Sequence, residues 1–163
     1  MTRKEYLIYV EGIFKAAKGL VQQVTEDRLD FKPQEGLMTV AQIVKHLSDA
    51  LGGSLAMAIS QSWPDIPADQ MLPPAEQMPS ATSVQESLKE MDNDWQLLLS
   101  EIDKLTDEEF TTTKIHVPWI PFPVTYEAYL MQAMEHLSNH RMQLFIWLKL
   151  SGLPLNTSHL YGM

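Results

Sequence analysis

Apolar residues recur at alternating steps of four and three in four separate stretches, and this pattern restricts the fold more than any other feature. The clearest stretch follows Ser83, and its apolar positions are Val84, Leu88, Met91, Trp95, Leu98, Ile102 and Leu105. Residues at this spacing lie on one face of an α-helix. Each stretch therefore predicts an amphipathic helix whose apolar face must be covered by neighbouring helices.

Residue types that begin and end helices give the expected boundaries. Thr39 with Gln42, and Ser83 with Glu86, have the spacing of a capping box, and Gly152 followed by proline is a typical helix end. The expected helices cover about 3–24, 39–60, 83–105 and 125–152. Between the last two, 106–123 is expected to be irregular with a short extended piece near 111–117, and the tail 155–163 is also expected to be irregular.

These features predict an all-α protein, an antiparallel four-helix bundle with long crossover loops. The chain of 163 residues is interpreted as one domain, 1–163. The connection over 61–81 holds half of the chain's 10 prolines. We assign it to the same domain because the helix that follows cannot bury its apolar face alone; its role is left open.

The composition excludes several classes of protein. The absence of cysteine excludes thiolate nucleophiles, disulfides and cysteine metal sites, so any metal must be held by nitrogen and oxygen. The formal net charge of −9 and the lack of a dense basic run argue against nucleic acid as a partner. No apolar run approaches the roughly 20 residues of a membrane span, and the N-terminus has no signal-peptide core. We expect a cytoplasmic protein that does not contact a membrane.

Three histidines fall on the predicted inward faces of helices. His136 and His140 are four residues apart, so their imidazoles lie one turn above each other, and His46 lies on the inward edge of the second helix. Leaving one buried imidazole without a hydrogen-bond partner costs roughly 1–3 kcal/mol. Two ligands from one helix and one from another would hold a divalent ion and leave positions open for water or substrate.

Other interpretations of the histidines stay open at this point. A histidine pair at this spacing is common in helices that bind no metal, and a single histidine on an apolar face is usually a hydrogen-bonded core residue. No histidine is followed by glutamate, which excludes the His-Glu-x-x-His zinc-protease signature. None has an acidic residue three positions before it, which excludes the Glu-x-x-His signature of di-iron bundles. The metal interpretation is therefore mononuclear.

Two further polar residues are candidates for orienting the ligands. Gln143 lies three residues after His140, and Asp49 lies three residues after His46, where it could accept the second ring N–H. For both residues, the alternative interpretation is an exposed surface residue that plays no part in the site. His116, in the irregular stretch, is expected to be solvated unless a loop folds over the site. No residue is assigned a catalytic role from these patterns.

The segment 39–47, Thr-Val-Ala-Gln-Ile-Val-Lys-His-Leu, and the segment 135–144, Glu-His-Leu-Ser-Asn-His-Arg-Met-Gln-Leu, resemble the DinB/YfiT family. The family is also resembled by two shorter segments, 29–33 before the second helix and 150–154 at the end of the fourth. The resemblance implies a four-helix bundle in which His46, His136 and His140 are the metal ligands. The family more often has glycine where this chain has Met142; a side chain there is expected to narrow the site or to alter helix packing, but it removes no ligand.

The resemblance also implies a function. Characterised relatives transfer low-molecular-weight thiols to small electrophiles, or isomerise with a thiol cofactor, and some form dimers. We therefore expect a metal-dependent transferase, hydrolase or isomerase that acts on a small molecule, with zinc or nickel as the ion. The alternative is a non-catalytic, metal-stabilised bundle that serves as a dimeric interaction or stress-response module. A homodimer is expected in either case.

Overall fold

Helices dominate the computed structural model, which describes residues 1–65 and 73–163. The part of the proline-rich connection at 66–72 lies outside the described residues. The α-helices and β-strands, in chain order, are α1 Arg3–Val21, α2 Val40–Ser48, α3 Gly52–Ser60, α4 Val84–Ile102, α5 Asp107–Thr112, β1 Lys114–Ile115, β2 Val124–Thr125, α6 Tyr126–Leu150 and α7 Thr157–Leu160; short 3-10 turns cover Glu26–Arg28 and Ala75–Gln77. Within the described ranges, no helix combines the length and apolar character that a membrane crossing requires.

The longest helix, α6, contacts most of the other elements. It packs against α1, α2, α3, α5 and α7, while α4 packs against α1, α2 and α3. The largest fully buried side chains come from α1 to α6 and from Leu51, between α2 and α3. They are Tyr6, Leu20, Ile43, Leu51, Leu55, Met91, Leu98, Phe110, Leu130, Leu137, Leu144 and Leu148. The prediction of a mostly helical protein built around apolar stripes is confirmed.

The prediction of an all-α protein is wrong in one detail. Strands β1 and β2 form a two-stranded antiparallel sheet in which Lys114 pairs with Thr125 and Ile115 pairs with Val124. The extended piece expected near 111–117 is the first of these strands. The sheet brings the start of α6 next to the end of α5. The residues between the two strands, 116–123, therefore form a loop whose ends are held together beside α6.

Helix two is not continuous, contrary to the prediction of one helix over 39–60. It is interrupted between Ser48 and Gly52, and α3 begins there without a cap from its own N-cap residue. The carboxylate of Asp94 on α4 accepts hydrogen bonds from the backbone N–H groups of Leu51, Gly52 and Gly53, at 2.9, 2.9 and 2.8 Å. A tertiary contact therefore supplies the acceptor that a helix N-terminus needs, and it allows the chain to change direction.

Glycine is required at the first position of α3. A β-carbon at Gly52 would lie 2.1 Å from the Asp94 carbonyl oxygen on α4, far inside van der Waals contact. The backbones of α3 and α4 therefore approach more closely at this position than any other residue type would permit.

Two short helices occupy stretches that were expected to be irregular. The first, α5, begins at a capping box in which Thr106 and Glu109 satisfy each other's backbone N–H groups, and its Phe110 is fully buried. The second, α7, begins at Asn156 and buries Leu160. The outer helices end close to the expected residues, with α1 stopping at Val21 and α6 at Leu150, before Gly152 at φ +95°.

Candidate metal centre

Three histidines from two helices meet at one point. His46 lies in the last turn of α2, and His136 and His140 lie one turn apart in the middle of α6. Each offers a ring nitrogen, and these nitrogens all lie within 4.8 Å of one another. The expectation that distant parts of the sequence bring these side chains together therefore agrees with the observed geometry.

The rings are arranged edge to face rather than stacked. The Nε2 atoms of His46 and His136 are 2.7 Å apart, and the ring centroids of the three pairs are separated by 4.5–4.8 Å. Desolvation by burial lowers the pKa of His46 and of His136 to about 4, and His140 adds a repulsive contribution to both. Burial also lowers the pKa of His140. At neutral pH the three imidazoles are therefore uncharged, the form that binds metal.

The donor set fits a divalent ion. Zn–N bonds of about 2.0–2.1 Å separate two ligands of a tetrahedral ion by roughly 3.4 Å. The observed nitrogen separations, from 2.7 Å to at most 4.8 Å, bracket that value. Small side-chain rotations therefore bring all three nitrogens within bonding distance of one ion, and three protein ligands leave a position open.

A carboxylate on α4 fixes the position of the helix that carries His46. Glu90 accepts hydrogen bonds from Lys45 Nζ at 3.0 Å and from Ser48 Oγ at 2.8 Å. The hydrogen bond from Lys45 is the main reason that the pKa of Glu90 is lowered. At the other end of α2, the capping box of Thr39 and Gln42 forms as predicted. Both ends of α2 are thus held, and this limits the movement of His46 relative to α6.

The two candidate orienting residues behave differently. Gln143 Oε1 lies 2.8 Å from His140 Nδ1, so the oxygen accepts a ring N–H and the lone pair of His140 stays on Nε2. Asp49, by contrast, pairs with Lys45 at 3.3 Å and is mostly exposed. The proposed contact between Asp49 and His46 is absent from the described hydrogen bonds, because α2 ends at Ser48 and the chain turns away after it.

A cavity opens beside His136. It has a volume of about 350 Å³ and is lined by Ala50, Ser54, Trp119, Tyr129, Gln132, Ala133 and His136. The cavity therefore reaches from the break between α2 and α3 to the face of α6 that carries a candidate ligand. A small molecule in it would lie next to the histidine cluster.

His116 does not join the cluster. Its side chain is exposed. Its backbone carbonyl accepts a hydrogen bond from Trp63 Nε1 at 3.1 Å, and its backbone N–H donates one to Gln61 Oε1 at 3.3 Å. These two bonds attach the loop before β2 to the segment after α3. Sequence reasoning missed Trp119, Ser54 and Trp63 as residues near the site. The signal in the sequence was Trp119 between Pro118 and Pro121, in the apolar, proline-rich segment 117–123.

The comparisons with known proteins agree with this architecture. The sequence matches the family model of the DinB superfamily over residues 11–144. Two solved structures are similar in fold. One is a DinB-like protein from Bacillus cereus ATCC 10987, with a TM-score of 0.75 and 16% identity over 95% of this chain and 96% of that one. The other is the DinB-like protein YjoA from Bacillus subtilis, with a TM-score of 0.68 and 19% identity over 93% and 94%.

No curated protein matches the sequence. The structural similarities, at under one residue in five identical, concern the fold alone. The family match covers most of the chain, including all three clustered histidines. The chain therefore belongs to the DinB superfamily.

Proposed function

We propose that this protein is a metal-dependent enzyme with a mononuclear centre held by His46, His136 and His140. The single observation that carries the proposal is that ring nitrogens of three histidines lie within 4.8 Å of one another and that one of these residues, His136, lines a cavity of about 350 Å³. A purely structural centre is usually closed by four protein ligands, whereas a catalytic centre keeps an open position that faces substrate. The scaffold is a four-helix bundle formed by α1, the broken pair α2–α3, α4 and α6.

The chemistry follows from the ligand charge. Three neutral imidazoles leave the full +2 charge on the ion, which would act as a Lewis acid and lower the pKa of a bound water or thiol. Zinc or nickel suits such a ligand set. His140 is held by Gln143 in the tautomer that presents Nε2, and His136 connects the centre to the cavity. The residues of this chain thus orient the ligands and admit a small molecule.

The reaction class is a transfer or hydrolysis on a small molecule, with a low-molecular-weight thiol as the preferred reactant. This follows the family resemblance of the two histidine segments. Because the chain has no cysteine, the thiol must come from a substrate rather than from the protein. The proposed partners are therefore small molecules.

Metal analysis of matched variants tests the centre. The wild-type protein, dialysed against zinc or nickel, is expected to retain about one ion per chain, and His136→Ala is expected to bind at least about tenfold more weakly while remaining helical. His116→Ala is the matched control, because His116 lies outside the cluster. Equal metal content in wild type and His136→Ala would refute the assignment.

A second experiment separates an open centre from a closed one. In the cobalt(II)-substituted protein, azide or 2-mercaptoethanol is expected to change the visible spectrum, because an open position accepts an external ligand. A spectrum that ignores both would favour the non-catalytic alternative. The homodimer and the cytoplasmic location expected from the sequence stay predictions, and light scattering at micromolar concentration tests the first.

A further inference from the structure

Aromatic side chains form one wall of the cavity beside His136. Trp119 and Tyr129 line it directly, with ring centroids 6.4 Å apart. Trp63 packs edge-to-face behind them, 5.2 Å from Trp119 and 6.0 Å from Tyr129. Tyr129 is buried, whereas Trp119 remains 50% exposed on the loop between the two strands. The wall thus has a rigid base on α6 and an accessible edge.

The bond from Trp63 to the His116 carbonyl holds this wall together. Trp63 lies after α3 and His116 lies after β1, so the bond connects two segments that are distant in sequence. Trp63 and Tyr129 are the two neighbours of Trp119 among the described aromatic pairs, and this bond holds the first of them in place. The tryptophan is therefore positioned before any ligand arrives, which lowers the entropy cost of binding.

The described lining carries no formal charge. Besides the two aromatic residues and His136, it consists of Ala50, Ser54, Gln132 and Ala133. In the metal-free protein, a charged group that enters this cavity loses part of its hydration and finds no ion partner in the described lining, which is unfavourable. The Ser54 hydroxyl and the Gln132 amide supply polar contacts only.

We infer that the cavity binds an uncharged, flat apolar group, such as a substituted benzene ring, of the molecule whose donor atom reaches the histidine-bound ion. The inference rests on the proposed function for that donor atom. The volume of about 350 Å³ exceeds the roughly 150 Å³ of an engineered cavity that holds benzene. It accommodates a ring with a short substituent. Trp119 selects the ring by stacking or edge contact, and the uncharged lining of the metal-free protein disfavours carboxylate or ammonium analogues.

A metal-free experiment tests the cavity by itself. The affinity of the full-length protein is measured by calorimetry or ligand-observed NMR for p-cresol, benzoate and benzylamine at neutral pH. We expect p-cresol to bind at least about tenfold more tightly than either charged analogue. Trp119→Ala is expected to weaken p-cresol binding by about tenfold. Phe122→Ala is the matched control, because Phe122 is 62% exposed on the same loop and does not line the cavity.

Ala133→Leu provides a second test that keeps the aromatic wall intact. Leucine is a good helix former, and its side chain would extend from α6 into the cavity, so p-cresol binding is expected to be lost while the helical content is unchanged. The inference is overturned if the three ring compounds bind equally. It is also overturned if Phe122→Ala weakens binding as much as Trp119→Ala, or if Ala133→Leu binds like wild type.

A second arm distinguishes failure of this inference from failure of the proposed function. In the cobalt(II) protein, benzyl mercaptan is expected to bind at least about tenfold more tightly than 2-mercaptoethanol. The ratio of the two affinities is expected to fall in Trp119→Ala and to persist in Phe122→Ala. Equal affinities in wild type would overturn the inference while leaving the metal centre supported. Absence of any thiol-dependent spectrum, together with selective binding of p-cresol, would refute the proposed function and retain only the apolar cavity.

Discussion

The buried carboxylate of Asp94 holds the start of α3, and its removal is expected to destabilise the protein strongly. Asp94 is 7% exposed and accepts three backbone N–H groups at 2.8–2.9 Å. Burial raises the pKa of Asp94, and the three N–H groups act against that rise. The net stabilisation is therefore smaller than the sum of three independent hydrogen bonds to a charged group.

The expected loss of stability in Asp94 variants follows from two typical values. Loss of a helix cap costs about 0.5–2 kcal/mol, and a hydrogen bond to a charged group contributes about 1.5–3 kcal/mol. Asp94→Ala leaves three N–H groups without their acceptor, so we expect a loss of about 2–4 kcal/mol in the free energy of unfolding. Asp94→Asn keeps one acceptor oxygen but turns an amide NH₂ toward a backbone donor. We expect it to lose about half as much.

Urea unfolding of the metal-free protein, followed by far-UV circular dichroism, measures these losses from the midpoint and slope. Asp92→Ala is the matched control. Asp92 lies on the same helix, is 59% exposed and pairs with Lys18, so its removal is expected to cost about 0–1 kcal/mol. Amide hydrogen exchange is expected to accelerate at 51–53 in Asp94→Ala but not in Asp92→Ala. Equal midpoints for the two alanine variants would refute the assigned role of Asp94.

Two further predictions concern the histidines. Because the pKa of His46 and of His136 falls to about 4 in the folded state from 6.5, the unfolded chain binds more protons between these values, and stability must fall as pH decreases. When the pH is lowered from 6.5 to 5, the urea concentration at the unfolding midpoint of the metal-free protein is expected to fall. The fall is expected to be smaller in His46→Gln than in His116→Gln, and identical falls would contradict the reasoning. Gln143→Ala is expected to weaken metal binding by about tenfold, measured by competition with a chelator, whereas Gln143→Glu keeps an acceptor for His140 Nδ1 and is expected to retain most of the affinity. Equal weakening in both variants would argue against a role for that acceptor.

The long helices were predictable because local patterns and tertiary packing agree there. The apolar stripe and the serine cap of α4 place its start at Val84, and Gly152 lies just beyond the end of α6. The Gly52-Gly53 pair is a local signal for the break after α2, but it does not by itself predict where the helix ends or restarts. The cause of the break is the Asp94 carboxylate on another helix, which no pattern within 39–60 contains. The short helix α5 has a capping box in its sequence, but a single buried phenylalanine gives no apolar stripe to recognise.

The candidate site also has one part that the sequence predicted and one part that it did not. Helical spacing alone puts His136 and His140 on one face, because residues four apart always lie near each other on a helix. The position of His46 depends on how α2 packs against α6, which the sequence suggested only through its apolar face and its family resemblance. The aromatic wall depends on contacts between two loops, Trp63 with Trp119, and loop contacts have no periodic signature. Sequence reasoning therefore identified the three histidines that meet and missed the aromatic wall beside them.

The origin of the three candidate ligands on two different helices has an energetic consequence. Helix α2 has only nine residues, and such a short helix is marginal without tertiary contacts. Its position depends on α4, through Glu90 and Lys45, and on α6, against which it packs. An ion shared between His46 and the α6 pair would add a direct bond between these two helices. The unfolded chain holds no such preformed site. Metal binding must therefore stabilise the contact of α2 with α6, and the same contact must raise the affinity for the metal by the same free energy.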